Sequence, residues 1–424
     1  MYSQRIKEKR LSWGAHLLAA PFSAYGSVSI VGSVRGGARA AGSETFAKIH
    51  ADMLLEGTRR RTKKELQEKL DSMSASLSFS ADTDRLVFSG RVMAEHLDPL
   101  LALIAEILRE PSFPARELAL LKQREAAALA LQAQDTRAQA GIALTRLIYA
   151  PGHPNYEETT DESKEALAGL TPKKLRDHHT KNLDGASIVL SLAGDIAPAK
   201  AFVLGEKHFK TLPRGRSELP PFAPSTRRDA RSVSVFVPHK ANIDYMLGTA
   251  AGITKDHPDY PALLLGVQIL GLPGFLGRLM KIVREKEGLT YGIYAYASGF
   301  DRDVDGYLAI WATFAPELFE RGKSSALREI RTLVSQGATA EEVRRHRERY
   351  AAEVAVRLSN SGAFAAAAHS AAADGRPLSY IDEFPKRIAR LTPREVNRAV
   401  KKYLAPERLS AAAAGPTEKN AAAA

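Results

Sequence analysis

The sequence predicts an α+β fold that contains two copies of one unit of roughly 200 residues. One observation is an internal repeat at a constant offset of 221 residues, which aligns residues 170–175 with 391–396 and places Gly194 on Gly415. A second is that strand-like and helix-like segments mix without regular alternation, which favours mixed sheets with helices on one side over a doubly wound fold. A third is a proline-rich segment between the copies. The three together predict two homologous mixed-sheet-plus-helices domains.

The predicted domain bounds follow from the repeat and from that proline-rich segment. The first domain is residues 1–211 and the second is residues 232–424. Residues 212–231 hold four prolines among basic residues, a composition that gives a stiff, extended connector. A chain of 424 residues also exceeds what one core usually holds, which agrees with two domains.

Hydrophobic periodicity predicts the elements of each copy. In the first copy, the predicted strands are 16–20, 27–34, one or two strands within 76–92, and 186–193. The predicted helices are 44–56, 62–71 behind a Thr62 and Glu65 capping box, 97–108, one long helix over 115–147, and a last helix that begins at Thr171-Pro172. In the second copy, the pattern predicts a strand at 232–238 and an alanine-rich helix at 363–373.

Residues 271–300 carry the most specific pattern in the chain. A Gly-Leu-Pro-Gly break at 271–274 precedes apolar residues at helical spacing, which predicts a short amphipathic helix ending at Gly288. Alternation of apolar and polar residues from 289 onward then predicts a half-buried strand. Arg284 lies in the last helical turn and Tyr291 near the start of the strand, so we expect the guanidinium and the phenol to face one space.

This stretch, GFLGRLMKIVREKEGLTYGIYAY, resembles the C-terminal-domain signature of the pitrilysin, insulinase and mitochondrial processing peptidase family. The resemblance implies two processing-peptidase-like domains that form half of a clam-shell, with Arg284 and Tyr291 holding the substrate backbone near the scissile bond. It also implies that strand 76–80 is a substrate-facing edge, with Ser78 where active relatives carry an Asn. By pattern alone, structural roles are the favoured explanation for an Arg in a last helical turn and a Tyr in a strand.

The same resemblance implies that the zinc site is lost. The run MLLEGT at 53–58 resembles the landmark that follows the family's H-x-x-E-H motif, and counting back places the motif on Lys48-Ile49-His50-Ala51-Asp52. Both zinc histidines are replaced, by Lys48 and Asp52, and the catalytic Glu is Ala51. The third ligand, a Glu some 75 residues further on in the family, falls on or beside Ala128. We therefore expect no cofactor in this chain and zinc in a partner subunit.

Helical geometry predicts which contacts the residues at the former zinc motif make in place of binding a metal. Lys48 and Asp52 are four apart and share a face, which predicts an ion pair, whereas His50 and Asp52 point to opposite sides of the helix. His178 and His179 are adjacent on a polar helix, so their side chains are expected to diverge rather than to bind a metal together.

Composition restricts the classes of partner and the cellular location that are expected for this chain. The net charge is +12, but the basic residues are scattered and no aromatic-flanked basic motif is present, so nucleic acid is not expected as a partner. No run of 18 apolar residues is present, so no membrane span is expected. The basic start has a short apolar part interrupted by His16 and does not resemble a secretory signal, which predicts a cytoplasmic protein, or a periplasmic one if a signal has been removed.

The leading hypothesis is a non-catalytic, substrate-binding subunit of a heterodimeric zinc metallopeptidase that cleaves peptides or unfolded polypeptides. Activity is then expected only with a homologous zinc-bearing partner, and self-association as a homodimer is the other arrangement considered. The alternative is a structural or assembly protein that resembles the core subunits of respiratory complexes. A metalloenzyme with a different ligand set is disfavoured, because no His, Asp and Glu cluster has ligand spacing.

Overall fold

The computed structural model describes residues 1–214, 219–225, 229–272 and 277–416. The chain divides into two compact units, each assembled from separate segments. Unit 1 consists of Met1–Ala127, Asp161–Pro221 and Glu353–Glu383, and unit 2 of Ala128–Thr160, Phe222–Ala352 and Phe384–Ala424. The bounds 1–211 and 232–424 stay a prediction about the repeat in the sequence. Residues 273–276 of the predicted break and helix, residues 215–218 and 226–228 of the predicted connector, and residues 417–424 lie outside the described ranges.

Unit 1 contains a mixed six-stranded sheet. Its strands are β1 Lys7–Arg10, β2 His16–Pro21, β3 Ser27–Arg35, β4 Ser76–Ala81, β5 Arg85–Met93 and β6 Val189–Gly194, in the order β1-β2-β6-β3-β5-β4. The β2 and β6 pair is parallel and the other pairs are antiparallel. The central strands β2, β3 and β6 are almost entirely buried, and their residues are mostly apolar or small. Strand β4 lies at the edge and alternates between exposed and buried positions.

Unit 2 contains a five-stranded sheet with the same plan. Its strands are β7 Ser232–Phe236, β8 Ile243–Ala250, β9 Gly292–Ser298, β10 Tyr307–Phe314 and β11 Ser410–Gly415, in the order β7-β11-β8-β10-β9. This order repeats β2-β6-β3-β5-β4 strand for strand, and the first pair is again parallel. The repeat at offset 221 holds in space, since Gly194 and Gly415 end the corresponding strands β6 and β11. The predicted α+β class with two homologous mixed sheets is confirmed.

Helices surround both sheets. They are α1 Ala38–Ala41, α2 Glu44–Asp52, α3 Lys63–Ser72, α4 Leu97–Arg109, α5 Ala115–Ala133, α6 Thr136–Ile148, α7 Thr160–Ala168, α8 Pro172–Asn182, α9 Pro198–Phe209, α10 Tyr260–Gly271, α11 Phe319–Gln336, α12 Ala340–Arg357, α13 Ser361–Ala373, α14 Tyr380–Arg390 and α15 Pro393–Tyr403. The predicted capping box of α3 is present, with both Thr62 and Glu65 bonding each other's backbone. Helix α9 follows the strand that was expected to close the first copy.

The prediction of one long helix over 115–147 is wrong, because the chain breaks between α5 and α6. Asp135 caps α6 by accepting hydrogen bonds from the backbone N–H groups of Arg137 and Ala138 at 2.9 and 3.1 Å. The break sends α6 onto β7, β8 and β11 in unit 2. Helix α13, from the second half of the chain, packs on β2, β3 and β6 in unit 1. Each sheet is thus covered by a helix from the other half of the sequence.

None of the helices within the described ranges combines the length and the apolar character needed to cross a bilayer.

Candidate functional site

The segment before β9 forms an irregular helical corner. Residues Met280–Lys286 form a π-helix, and the N–H of Leu289 reaches back to the carbonyl of Val283 at 3.0 Å. Gly288 ends the helix with φ of +65°, a left-handed conformation that glycine adopts without strain. Short π-helical segments are frequent at functional sites. The predicted helix and its end at Gly288 are therefore present, although β9 begins at Gly292 and Tyr291 directly precedes it.

Arg284 and Tyr291 meet at this corner. The Arg284 Cζ atom lies 5.2 Å from the centroid of the Tyr291 ring, a cation–π arrangement. Tyr291 is 86% exposed, so the phenol is accessible to a ligand, whereas Arg284 is half-buried. The expectation that the two side chains face one space agrees with this geometry, and their action on a substrate remains a prediction.

Hydrogen bonds from neighbouring elements fix the corner. The Glu287 carboxylate, at the end of the π-helix, accepts from the hydroxyl of Ser325 at 2.6 Å and pairs with Arg328 on the same helix α11. The hydroxyl of Thr290 donates to the carbonyl of Thr313 on β10. These bonds fix the chain between Arg284 and Tyr291 to α11 and β10.

Arg278 anchors the start of the same segment. Its guanidinium forms a two-pronged ion pair with the Glu342 carboxylate on α12, at 2.7 Å for both contacts, and donates to the carbonyl of Gly337 at 2.9 Å. Burial favours the neutral acid, but the hydrogen bonds from Arg278 and from the Thr339 backbone outweigh it and lower the pKa of Glu342 to about 2. Sequence reasoning missed this pair, because Glu342 lies outside the recognised stretch.

Ser78 lies on β4, the edge strand of the unit 1 sheet. Its side chain is exposed and its hydroxyl lies 2.9 Å from the Ser89 hydroxyl on β5. An edge strand presents backbone N–H and carbonyl groups that can pair with an extended peptide. The structure therefore places Ser78 where a peptide could add to the sheet, and the contact itself remains a prediction.

A lysine ammonium lies at the position of the expected zinc motif. Lys48 Nζ lies 3.4 Å from the Asp52 carboxylate on the same face of α2, so the expected ion pair is present. Lys48 also contacts the carboxylate of Glu125 on α5, which the sequence analysis did not identify. Burial of Lys48 lowers the pKa of its ammonium. Hydrogen bonding to Glu125 and the negative charge of Asp52 outweigh burial and raise that pKa above its usual value. Two carboxylates thus converge on a side-chain cation.

The third-ligand position, on or beside Ala128, stays a prediction. Ala128 is exposed on α5. Glu125, three residues earlier on that helix, is the acid that reaches α2. Ala51, at the position of the catalytic base, is buried and offers no heteroatom. In the described ranges, no group of three His, Asp or Glu side chains is arranged to hold a metal ion.

We expect the purified chain to bind no stoichiometric zinc, and the variant Lys48→His/Asp52→His to bind about one equivalent. Two histidines four apart on one helical face, together with Glu125, give the three ligands of a catalytic-type zinc site. Metal analysis and calorimetric titration with zinc alone measure both results.

The matched control is the triple variant that adds Glu125→Gln, which should bind zinc at least about tenfold more weakly. Tight zinc binding by the unaltered chain would contradict the first expectation. Equal zinc affinity of the double and triple variants would contradict the assignment of Glu125.

Three imidazoles cluster on the buried side of α2. The ring centroid of His50 lies 4.9 Å from that of His178 and 5.2 Å from that of His179, although His178 and His179 were expected to diverge without a common partner. His179 Nε2 donates to the carbonyl of Leu108 at 2.7 Å, so its Nδ1 accepts from His50 Nε2 at 3.0 Å. Both rings are therefore neutral.

Burial is the main cause of the altered pKa values in this cluster. It lowers the pKa of His50 well below its usual value and that of His179 to about 4, and it also lowers the pKa of His178. Phe113 packs against His50 and His179, which are buried, and Phe46 packs against the half-buried His178. Sequence reasoning missed this cluster, because His50 and His179 are 129 positions apart.

Two protein-family models match the chain. Residues 24–152 match a model described as insulinase, peptidase family M16, and residues 169–350 match one described as the peptidase M16 inactive domain. The first match covers α2 with Lys48 and Asp52, and the second covers Arg284 and Tyr291.

Individual proteins are also similar to this chain. A non-peptidase homolog, YmxG, from Helicobacter pylori is 23% identical over 303 residues, which cover 70% of this chain and 67% of that protein. An uncharacterized zinc protease from Rickettsia bellii is 26% identical over 317 residues, 72% of each chain. The beta subunit of the bovine mitochondrial-processing peptidase is 21% identical over 175 residues, 41% of this chain and 35% of that subunit.

Solved structures show the same fold. A peptidase M16 inactive domain from Pseudomonas fluorescens superposes with a TM-score of 0.86 at 25% identity, over 97% of this chain and 98% of that one. A protease from Helicobacter pylori gives a TM-score of 0.87 at 16% identity, over 96% and 99% of the two chains. The periplasmic protease PqqL from Escherichia coli gives 0.82 at 16% identity, over 98% of this chain and 46% of that one.

Proposed function

The chain belongs to the insulinase family of peptidases, M16, and on that premise we propose that it is the non-catalytic, substrate-binding subunit of a two-chain zinc metallopeptidase. The zinc and the base would come from a homologous partner that carries an intact H-x-x-E-H motif. This chain would contribute Arg284 and Tyr291, which hold the backbone of a peptide or an unfolded polypeptide.

The observation that carries this proposal is the contrast between the two sites. At the corner before β9, a half-buried guanidinium contacts an exposed phenol, and the neighbouring residue Glu287 is hydrogen-bonded to α11. At the motif on α2, the residues do not fit a zinc ion, since Lys48 itself supplies a cation to Asp52 and Glu125. Hydrolysis needs a polarised carbonyl, an activated water and a positioned backbone, and this chain supplies groups for the last of these.

The rest of the proposal concerns substrate and partner. Ser78 on the edge strand β4 would add backbone pairing to an extended peptide, a mode in which main-chain hydrogen bonds supply affinity. The bovine relative is by its name one subunit of a processing peptidase, which supports pairing with a homologous chain. A cytoplasmic location, with the periplasm as the alternative, belongs to the same proposal and is tested by cell fractionation.

The test is reconstitution with an M16 chain that has an intact zinc motif. We expect the two proteins to co-purify and to cleave an unstructured peptide at least about a hundredfold faster than either chain alone, since a displaced positioning group costs about that factor. Steady-state assays with a quenched fluorescent peptide measure the rates.

The matched control repeats the assay with the zinc motif of the partner disabled at its Glu, which should abolish cleavage without affecting co-purification. Assembly with no change in the partner's cleavage rate would contradict the proposal. That outcome would favour the structural alternative, a subunit that resembles the core proteins of respiratory complexes.

A further inference from the structure

A cavity of about 340 Å³ opens in unit 2 at the carboxyl end of β8. Neither Arg284 nor Tyr291 lines this cavity. It is lined by residues 249–253, Ser225, His257, Lys402, Tyr403 and Arg408. Among these lining residues, none is acidic and three carry basic side chains. A cavity of this size accommodates a small ligand rather than a polypeptide.

Arg408 is the strongest donor in the cavity wall. Its side chain is exposed, and it forms no hydrogen bond or ion pair with another residue in the described ranges. A guanidinium presents a planar fork of N–H donors that matches the two oxygens of a carboxylate or a phosphate. The uncompensated charge of Arg408 therefore favours a ligand that carries oxygen anions.

Two further lining residues, Lys402 and Tyr403, are held in position by Asp259. The Asp259 carboxylate accepts from Lys402 Nζ at 3.0 Å and from the Tyr403 hydroxyl at 2.8 Å. These bonds fix the lysine stem at the cavity while compensating part of its charge. Lys402 is thus a fixed cation whose charge Asp259 partly neutralises. Arg408 supplies the net positive charge of the cavity.

His257 supplies a further N–H donor in both its neutral and its protonated form. Its Nδ1 accepts the backbone N–H of Asp259 at 3.1 Å, so the ring proton of the neutral form lies on Nε2. Nε2 can then donate to a ligand in both the neutral and the protonated ring. Ser225 lines the same cavity, and its hydroxyl is buried without a hydrogen-bond partner among the described residues.

The geometry points to a binding site for a small oxyanion, a carboxylate or a phosphate, held by Arg408, Lys402 and His257. A buried hydroxyl without a partner, three cationic or N–H donors lining one cavity and the absence of acids from the described lining all favour the same ligand chemistry. The site does not depend on the peptidase proposal, because none of Arg284, Tyr291 and Ser78 lines the cavity.

The test is calorimetric titration of the purified full chain, without any peptidase partner, against three probes. They are inorganic phosphate, N-acetyl-trialanine with a free carboxylate, and the same peptide as its C-terminal amide. We expect phosphate or the free-acid peptide to bind and the amide not to bind. Binding of phosphate alone assigns a free oxyanion, and binding of the free-acid peptide assigns a peptide end.

Arg408→Gln is expected to weaken the binding at least about tenfold, since charge-assisted hydrogen bonds are roughly twice as strong as neutral ones. His257→Asn is a second variant that leaves Arg408 in place and should also weaken binding. The matched control is Arg394→Gln, an exposed arginine in the first turn of α15 outside the cavity, which should bind like the unaltered chain. The proposal is overturned if no oxyanion binds, or if Arg408→Gln and His257→Asn bind with unchanged affinity.

Discussion

Arg284→Ala in the assembled two-chain peptidase is expected to lower kcat/KM for peptide cleavage about a hundred- to a thousandfold, the usual effect of losing one donor aimed at transition-state charge. The guanidinium stacks on the ring of Tyr291 at an exposed corner, where its fork of donors can reach a peptide carbonyl. Steady-state assays on the reconstituted pair measure the effect, and co-purification shows whether assembly survives.

Tyr291→Phe separates two roles of the corner. The variant keeps the ring, and therefore the cation–π contact with Arg284, but removes the hydroxyl that can donate to a developing oxyanion. We expect kcat to fall strongly with little change in assembly. Arg302→Ala, which removes an exposed arginine elsewhere in unit 2, is the matched control and should leave cleavage within about twofold of the unaltered pair. Unaltered turnover in both corner variants would assign Arg284 and Tyr291 a merely structural role.

The features that could be predicted from the sequence are those set by local periodicity. The turn at Gly288 and the alternation that follows it are encoded within about ten neighbouring residues, so the corner and its two side chains could be located before the structure. The Lys48 and Asp52 pair follows from a separation of four residues on one helix. The repeat at offset 221 likewise predicts that two sheets share one strand order.

What escaped prediction depends on contacts between distant segments. Glu125 reaches Lys48 across 77 positions, whereas counting along the sequence led to the exposed Ala128, three residues later on α5. The long apolar periodicity over 115–147 hides the break at Asp135, because an N-cap inside an alanine-rich run changes the direction of the chain without changing its period. The exchange of α6 and α13 between the two sheets follows from such breaks.

The buried histidine cluster makes the chain sensitive to acid, and we expect unit 1 to lose stability between pH 7 and pH 5. The unfolded chain protonates His179 near its usual pKa of about 6.5, whereas burial lowers the pKa in the folded state to about 4. The unfolded state therefore binds more protons as the pH falls below 6.5, and folding stability decreases until the pH reaches the folded-state value. Above pH 6.5, this contribution to stability is fully present.

For His179 alone, the expected loss in the free energy of unfolding is about 2 kcal/mol at pH 5 and about 3 kcal/mol at pH 4. His50 shares the hydrogen bond of His179 and adds to the loss, since protonation of either ring places a charge among Phe113 and the other imidazoles. His369, bonded to Ser33 in the same unit, titrates separately, with burial as the main cause of its lowered pKa of about 3.

Urea unfolding at several pH values between 7.5 and 5 measures the effect, with amide hydrogen exchange on α2 reporting unit 1 specifically. His179→Gln should be less stable than the unaltered chain at pH 7.5, because the bond to Leu108 is lost, but its stability should fall less steeply towards pH 5. His96→Gln, at a half-exposed side chain in the same unit, is the matched control and should keep the original pH dependence. Parallel curves for the unaltered chain and His179→Gln would show that His179 is not the acid-sensitive group, because a ring that titrates differently in the folded and unfolded states must change the slope.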